Sequence, residues 1–163
     1  MKRSLLHSAL LLCGMNARID SVRVAGTHQG PVPVVLLSVT DDEAVLPIFI
    51  GFDEAAAIAR GIDATDIGRP LTHDLLLDIV EELGGRIDRV EVSGIEDGTY
   101  LADLHLQRPM DTVTIDARPS DSLALAARTN VPIEIDQTVF NEGKRPAEEF
   151  ADLADIRDIG GSE

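Results

Sequence analysis

Two segments of the sequence place groups capable of acid–base and phosphate chemistry directly before a predicted helix. The first reads RPLTHD from Arg69 to Asp74, and the second reads DARPSD from Asp116 to Asp121. Each segment combines a guanidinium, a proline, a hydroxyl and a carboxylate, and the first adds the imidazole of His73, a group that can accept or donate a proton. Such groups can hold phosphate oxygens, bind a hard divalent cation or move a proton.

Helix initiation explains the same residues without any chemistry. Ser120 is predicted to cap the second helix, Pro119 suits its first turn, and Asp121 interacts favourably with the positive end of the helix dipole. Arg118 then pairs with an acid, and His73 is an exposed first-turn histidine. Both interpretations stay open on the residues alone, because helix capping and catalysis use the same residue types.

The elements around these segments alternate between strands and helices. Residues 17–25, 32–40 and 43–50 predict a meander of three strands, and the second is apolar enough to be buried on both faces. Helices are predicted from FDEAAAIARGI, from THDLLLDIVEELGG with Thr72 as its N-cap, and from PSDSLALAARTN. The pair Asp97-Gly98 predicts a hairpin between two further strands. The fold class is therefore α+β, a single domain with a mixed, mostly antiparallel sheet and two to three packed helices.

The charge of the chain restricts its partners and indicates its habitat. The net charge is −15, the pI is about 4.5, and the 14 basic residues include only Lys2 and Lys144 as lysines. Such a surface repels polyanions at low salt, whereas in molar salt the Debye length falls to about 3 Å. Lysine depletion on an acidic surface resembles proteins of salt-accumulating microbes, so we predict a halophilic, haloarchaeal-type protein.

Domain boundaries and location follow from the ends of the chain and its single cysteine, Cys13. Residues 1–16 are predicted to be an extension, either a start-site artefact ahead of Met15 or a weak signal-like segment. Residues 17–136 form the domain, and residues 137–163 form a short helical acidic tail. One cysteine excludes an internal disulfide framework, and the short apolar stretch at the start is too short to span a bilayer. We predict a cytoplasmic protein that does not enter a membrane.

Five segments together resemble one known family. In chain order they read LPIFIGFDEAAAIA, RPLTHDLL, EELGG, DGTYLADL and DARPSDSLALAART. This set is similar to the bifunctional nuclease domain family, in which DNase and RNase activities have been assigned to some members. The similarity runs from about Ala17 to Asp136, and Ser122 stands where small apolar residues are usual in the family.

The resemblance implies a hydrolase that cleaves phosphodiester bonds of DNA, RNA or both. The predicted catalytic residues are His73, Asp116 and Asp121, with Mg²⁺ or Mn²⁺ as a metal cofactor. Asp116 and Asp121 would bind the metal, with Glu54 as a further ligand. The predicted substrate-binding residues are Arg69, Arg118 and Ser120.

A function of another class fits the same residues. A non-enzymatic anion-binding or regulatory module would use the two Arg-Pro segments to hold an anion or a partner subunit. The acidic surface and the incomplete set of catalytic groups favour this alternative. Either protein is expected to be a homo-oligomer, because a short mixed sheet leaves edges that need cover. The alternatives differ in whether Arg69, His73, Asp116, Arg118 and Asp121 meet at one open cleft.

Overall fold

The computed structural model describes residues 14–159, which form one sheet with helices packed mainly on one face. The strands are β1 (Met15–Thr27), β2 (Gly30–Val39), β3 (Ala44–Phe49), β4 (Arg86–Glu96), β5 (Thr99–Gln107), β6 (Thr112–Ala117), β7 (Ile133–Ile135), β8 (Arg145–Pro146) and β9 (Ala154–Asp155). The helices are α1 (Phe52–Ile62), α2 (Thr72–Glu82), α3 (Pro119–Thr129), α4 (Gln137–Gly143) and α5 (Ile156–Ile159), with a 3₁₀ turn at Ala147–Phe150.

The sheet is antiparallel except at one central pair. Its strand order is β6-β5-β4-β7-β1-β2-β3-β8, with β9 paired to β1, and only β4 and β7 run parallel. The predicted meander is confirmed, since β1, β2 and β3 are consecutive neighbours. The predicted hairpin is also confirmed, and both Asp97 and Gly98 have positive φ angles, as a tight turn that matches strand twist requires. The fold class predicted from the sequence is correct.

The main core lies between one face of the sheet and helices α1 and α3. Strand β2 is buried on both faces, as its apolar run predicts: Val35 and Leu37 face this core, while Val34 and Leu36 pack with Phe150 on the other side. Helix α3 is the most deeply buried helix, with Leu123 and its neighbours from Ala124 to Ala126 at most 3% exposed. The first turn of α3 is therefore fixed by the core beneath the rest of the helix.

Helix α2 differs from α1 and α3 because it contributes no buried residue. Its apolar side chains Leu75, Leu76 and Ile79 are 51%, 42% and 48% exposed. The 3.6-residue periodicity correctly predicts the helix, but of its apolar side chains only the partly buried Leu77 packs against the main core. Gly84 ends the helix with φ of +79°, a conformation that favours glycine.

The two ends of the chain were assigned by prediction to an extension and a tail. Residues 1–13 of the predicted extension lie outside the part of the chain that the structure describes. The predicted tail, up to residue 159, contributes strands β8 and β9 to the sheet and buries Phe140 and Phe150. No helix among residues 14–159 is both long enough and apolar enough to cross a membrane.

The outer face of the sheet carries a row of carboxylates across four strands. The register places Glu134 beside Glu91, Glu91 beside Asp103, and Asp103 beside Asp116. Glu91 contacts His105 and Glu134 contacts Arg89, but neither Asp103 nor Asp116 forms an ion pair with any residue between 14 and 159. Like charges directly opposite one another destabilise a sheet.

Replacing the central acid of this row should therefore stabilise the fold at low salt. We expect Asp103→Asn to raise the free energy of unfolding by about 0.5 kcal/mol in 0.1 M KCl, with most of the gain lost in 2 M KCl because salt screens the repulsion. Urea unfolding at both salt concentrations measures it. Glu96→Gln is the matched control, since Glu96 is exposed and faces Thr99 rather than an acid. Equal effects of the two substitutions would contradict the prediction.

Candidate functional site

Four of the predicted site residues form one hydrogen-bonded cluster. Nε2 of His73 lies 3.1 Å from Oδ1 of Asp121, and Arg118 donates from Nε to Oδ2 of Asp121 at 2.7 Å and from Nη2 to Oδ1 at 3.1 Å. Arg118 also donates from Nη1 to Oε1 of Glu54 at 3.1 Å. The cluster joins the first turns of α1, α2 and α3, because Glu54, His73 and Asp121 lie in those turns.

The local sequence explains how the first turns are built, with one correction for each helix. Arg118 rather than Ser120 is the N-cap of α3, because Pro119 takes the first helical position, where its missing N–H costs nothing. Leu71 rather than Thr72 is the N-cap of α2, and its N–H donates to Oδ2 of Asp74 at 2.9 Å. These shifts, by two residues in α3 and by one in α2, leave Asp121 and Asp74 at the third helical position of their helices.

Hydrogen bonding keeps the cluster charged. Burial raises the pKa of Asp121, but the bonds from Arg118 and His73 outweigh burial, so the pKa lies below the ordinary value. The bond to Asp121 and the charge of the same carboxylate raise the pKa of Arg118 above its usual range. Asp121 is therefore a carboxylate at neutral pH, and it holds the imidazole by its Nε2 side.

The cluster borders an open cavity of about 840 Å³ whose walls are mainly apolar. The polar groups His73, Asp116, Arg118 and Asp121 line it together with Thr72. The remaining lining comes from α2, α3 and strands β4 to β6, and it consists of Leu75, Leu76, Ile79, Val80, Ile87, Leu104, Leu106, Ile115, Ala117 and Leu125. A substrate at the cluster would thus have a reactive polar end and an apolar flank.

The predicted site residues divide between this cavity and other places. Asp116 lines the cavity but makes no ion pair with residues 14–159. Its register beside Asp103 places it on the outer face of the sheet, because Ile115 and Ala117 take the alternate positions that face the helices. Ser120 is 6% exposed and does not line the cavity. Arg69 lines a second cavity, on the other side of the start of α2.

The predicted metal ligands do not form a set of free donors. Both oxygens of Asp121 accept hydrogen bonds from the cluster, Oε1 of Glu54 accepts from Arg118, and Asp116 is directed away from both. Within residues 14–159, no group of three or more His, Cys, Asp or Glu side chains is placed to hold a metal ion. A divalent cation at Asp121 would have to displace the guanidinium of Arg118.

A second ion pair connects α2 to α3 and was missed from the sequence. Nε of Arg128 donates to Oδ1 of Asp74 at 2.7 Å, and its Nη1 donates to the carbonyl oxygens of Ala57 and Ala124, each at 2.8 Å. In the sequence, Asp74 is only the carboxylate of the RPLTHD segment and has no assigned partner. The two partners of this ion pair are 54 residues apart, so no local pattern connects them.

The histidine on strand β5 has specific partners on the two neighbouring strands. Nε2 of His105 lies 3.1 Å from Oε2 of Glu91, and its Nδ1 lies 3.1 Å from Oγ1 of Thr114. The side chain of His105 is 17% exposed and lines none of the principal cavities among the described residues. We assign it a structural role, because it connects Glu91 of β4 to Thr114 of β6.

Comparison with known proteins identifies relatives over most of the chain. The family model described as the bifunctional nuclease domain matches residues 35–148. An uncharacterised protein of Mycobacterium tuberculosis, Rv1829, is 42% identical over 123 residues, which cover 76% of this chain and 72% of that protein. Bifunctional nuclease 2 of Oryza sativa subsp. japonica is 27% identical over 126 residues, covering 74% of this chain and 39% of the rice protein. Bifunctional nuclease 2 of Arabidopsis thaliana is also 27% identical, with 37% of its length covered.

The Asp74–Arg128 pair gives a stability prediction with a defined pH dependence. We expect Asp74→Asn to lower the free energy of unfolding by about 1–2 kcal/mol at pH 7, because Arg128, whose side chain is 9% exposed, loses its charged partner. The backbone bond from Leu71 and the bond from Arg128 lower the pKa of Asp74. A lowered pKa in the folded state stabilises the fold above the unfolded value of about 3.9, and this contribution is lost as the pH falls through the folded pKa.

The difference between wild type and Asp74→Asn should therefore be constant near neutral pH and should shrink below about pH 4. Urea unfolding of both proteins at pH 7, 5 and 3 measures this difference in the free energy of unfolding. Asp78→Asn is the matched control, because Asp78 lies one turn further along α2 and forms no ion pair with residues 14–159. A difference from wild type that is as large for Asp78→Asn, or that persists at pH 3, would refute this account.

Proposed function

Because this chain belongs to the bifunctional nuclease domain family, we propose that it hydrolyses phosphodiester bonds of DNA or RNA at the cluster of His73, Asp121 and Arg118. The observation that carries the proposal is the 3.1 Å contact between Nε2 of His73 and Asp121 at the rim of an open cavity. An imidazole held by a carboxylate on one nitrogen is positioned to exchange a proton at the other.

The roles in the reaction follow from the hydrogen bonds. With the Nε2–H donated to Asp121, Nδ1 of His73 takes a proton from water, and the water oxygen attacks the phosphorus. The bond between phosphorus and the leaving oxygen breaks, and the imidazolium returns its proton to that oxygen. Arg118 is 64% exposed and presents guanidinium N–H groups to the phosphate oxygens, where charge develops. Asp121 is a positioning residue that orients His73 and Arg118.

The other predicted residues have weaker geometric support. Asp116 remains a predicted catalytic residue at the rim of the cavity, and Ser120 remains a predicted substrate-binding residue although it is buried. Metal assistance by Mg²⁺ or Mn²⁺ also remains a prediction. The carboxylates as they are arranged do not fit a cation, so the proposed reaction contains no step at a metal. Activity measured with EDTA and with added Mn²⁺ tests the metal requirement.

A second function, anion binding without cleavage, is supported by the pairing of the two opposite charges in the cluster. The carboxylate of Asp121 and the guanidinium of Arg118 satisfy each other, and the chain carries a net charge of −15. A regulatory module that binds an anion without cleaving it would have this arrangement. Binding of an oligonucleotide without cleavage, in the presence and absence of Mn²⁺, would favour the module over the nuclease.

The expected habitat, location and assembly belong to the same proposal. The relatives reported above come from a mycobacterium and from plants, so they do not support a haloarchaeal origin. Adaptation to salt therefore rests on composition alone, as does the cytoplasmic location. Self-association is supported by strand β6, which pairs only with β5 within residues 14–159, and by the exposed apolar side chains of α2.

Alanine at His73 tests the reaction. We expect His73→Ala to reduce cleavage of a fluorescent oligonucleotide at least 100-fold, because general acid–base catalysis contributes about 10²–10⁴-fold. Asp121→Asn should reduce it by less, since the imidazole is kept but loses its orienting charge. His28→Ala, in the exposed turn between β1 and β2, is the control and should keep full activity. Wild-type cleavage rates in His73→Ala would exclude the proposed reaction centre.

A charge on the exposed face of α2 tests self-association. We expect wild type to elute as a dimer or larger assembly in size-exclusion chromatography with light scattering. Ile79→Glu should shift it to the monomer because burying an unpaired carboxylate is costly. The control is Asp78→Asn, which changes the residue next to Ile79 without placing a charge on the apolar face of α2. A monomeric wild type would end this part of the proposal.

A further inference from the structure

We infer that the second cavity is an anion-binding subsite for a phosphate group, formed by Arg60, Arg69 and Arg128. The cavity has a volume of about 550 Å³ and lies on the side of α2 opposite to the His73 cluster. The source of the phosphate, a nucleic-acid strand, rests on the proposed function. The binding of a phosphate group at the subsite does not.

Three arginines from different elements line this cavity. Arg60 lies in the last turn of α1, Arg69 in the loop before α2, and Arg128 in the last turn of α3. Arg60 and Arg69 are exposed, and the guanidinium of neither forms a hydrogen bond or ion pair with any residue from 14 to 159. Two guanidinium groups without protein partners therefore border the same space.

Arg128 supplies a fixed donor at the base of the cavity. Its side chain is 9% exposed, and its Nε and Nη1 are fully engaged with Asp74 and two backbone carbonyls. Its Nη2 makes no hydrogen bond to the described part of the chain, although the side chain lines the cavity. A buried guanidinium held at two nitrogens and unpaired at the third is preorganised to donate to an oxygen anion.

The carboxylates around the cavity differ in how strongly they oppose an anion. Asp74 is occupied by Arg128 and by the N–H of Leu71, and Oδ1 of Asp66 accepts the N–H of Gly68 at 2.7 Å. Asp78 and Glu81 also line the cavity, but they are exposed. Their side chains can turn to solvent, so they weaken binding at low salt without closing the site to an anion.

The position of α2 connects this subsite to the proposed reaction centre. Leu71 and Asp74 line the arginine cavity, whereas Thr72 and His73 line the apolar cavity. The first turn of α2 thus lies between the two cavities. A nucleic-acid strand crossing that turn would place one phosphate at Arg118 and another at the arginine subsite, so the subsite would strengthen binding without touching the reacting atoms.

Titration with pyrophosphate tests the subsite independently of any nuclease activity. We expect added pyrophosphate to shift the backbone amide signals of Gly61, Thr65 and Gly68 in ¹H–¹⁵N spectra of the wild-type protein. The double variant Arg60→Ala/Arg69→Ala should lose these shifts, whereas Arg86→Ala, which removes an exposed arginine from strand β4, should keep them. No shifts in wild type, or equal shifts in both variants, would overturn the subsite.

Binding of a fluorescein-labelled single-stranded oligonucleotide tests the source of the phosphate. Measured by anisotropy at fixed salt, the Kd of the double variant should rise about tenfold or more relative to Arg86→Ala, and the dependence on salt should become shallower by about one unit of slope. The Asp78→Asn/Glu81→Gln variant should bind more tightly than wild type at low salt.

The outcomes separate the two proposals. If pyrophosphate binds at the cavity but the oligonucleotide does not bind, the subsite takes a free phosphate compound and the nuclease proposal fails. If the oligonucleotide is cleaved but the double variant and Arg86→Ala bind it equally, the reaction centre stands and the arginine subsite is refuted for nucleic acid.

Discussion

The ion pair between Asp74 and Arg128 fixes the first turn of α2 against α3, and the geometry of both cavities depends on it. Helix α2 contributes no fully buried residue and packs on the main core through the partly buried Leu77, so hydrophobic packing contributes little to its position. Its place is defined at one end by Asp74 with Arg128 and by His73 with Asp121. Polar contacts are directional and short, so they fix orientation where an apolar face alone would allow sliding.

The first turn of α2 is therefore fixed in position, whereas the apolar residues that follow it are only partly covered. Its first turn presents His73 to one cavity and Asp74 to the other, while Leu75, Leu76 and Ile79 remain half-exposed beside the first. An exposed apolar face next to reactive groups lowers the local dielectric once a substrate or a second subunit covers it, and this strengthens hydrogen bonds to developing charge. The apolar face of α2, which is exposed in the isolated chain, can therefore strengthen the hydrogen bonds of the proposed reaction.

The sequence predicts most of the fold and only part of the site. Periodicity and turn residues correctly predict the strand meander, the hairpin at Asp97-Gly98 and the three long helices, because those signals act between near neighbours. The N-cap of α3 lies two residues before the predicted Ser120, and that of α2 lies one residue before the predicted Thr72. A proline at the first turn of α3 and an acid at the third position of α2 decide these positions in place of a hydroxyl. The contacts that build the site are different in kind, because they join residues distant in sequence.

The cluster of His73, Asp121 and Arg118 could be proposed from the sequence because two similar segments each begin a helix. This similarity suggested that the two segments contribute to one site. The Asp74–Arg128 pair could not, because nothing near Arg128 indicates a buried partner. Strand alternation alone would place Asp116 and Arg118 on the same face, but strand β6 ends at Ala117, between them. The register with Asp103 instead places Asp116 in the outer carboxylate row.

The remaining question is how a chain with a net charge of −15 can receive a phosphate at all. Net charge acts over a Debye length, whereas recognition at the two cavities acts over hydrogen-bond distances. Arg118 and Arg128 are held by the carboxylates of Asp121 and Asp74, and each of these arginines retains N–H groups in a fixed plane. Arginine can do this where lysine cannot, because its donors are distributed over three nitrogens, so one face can hold a protein acid while another faces an anion. The preference for arginine over lysine in this chain therefore suits sites where cations must remain usable within an acidic surface.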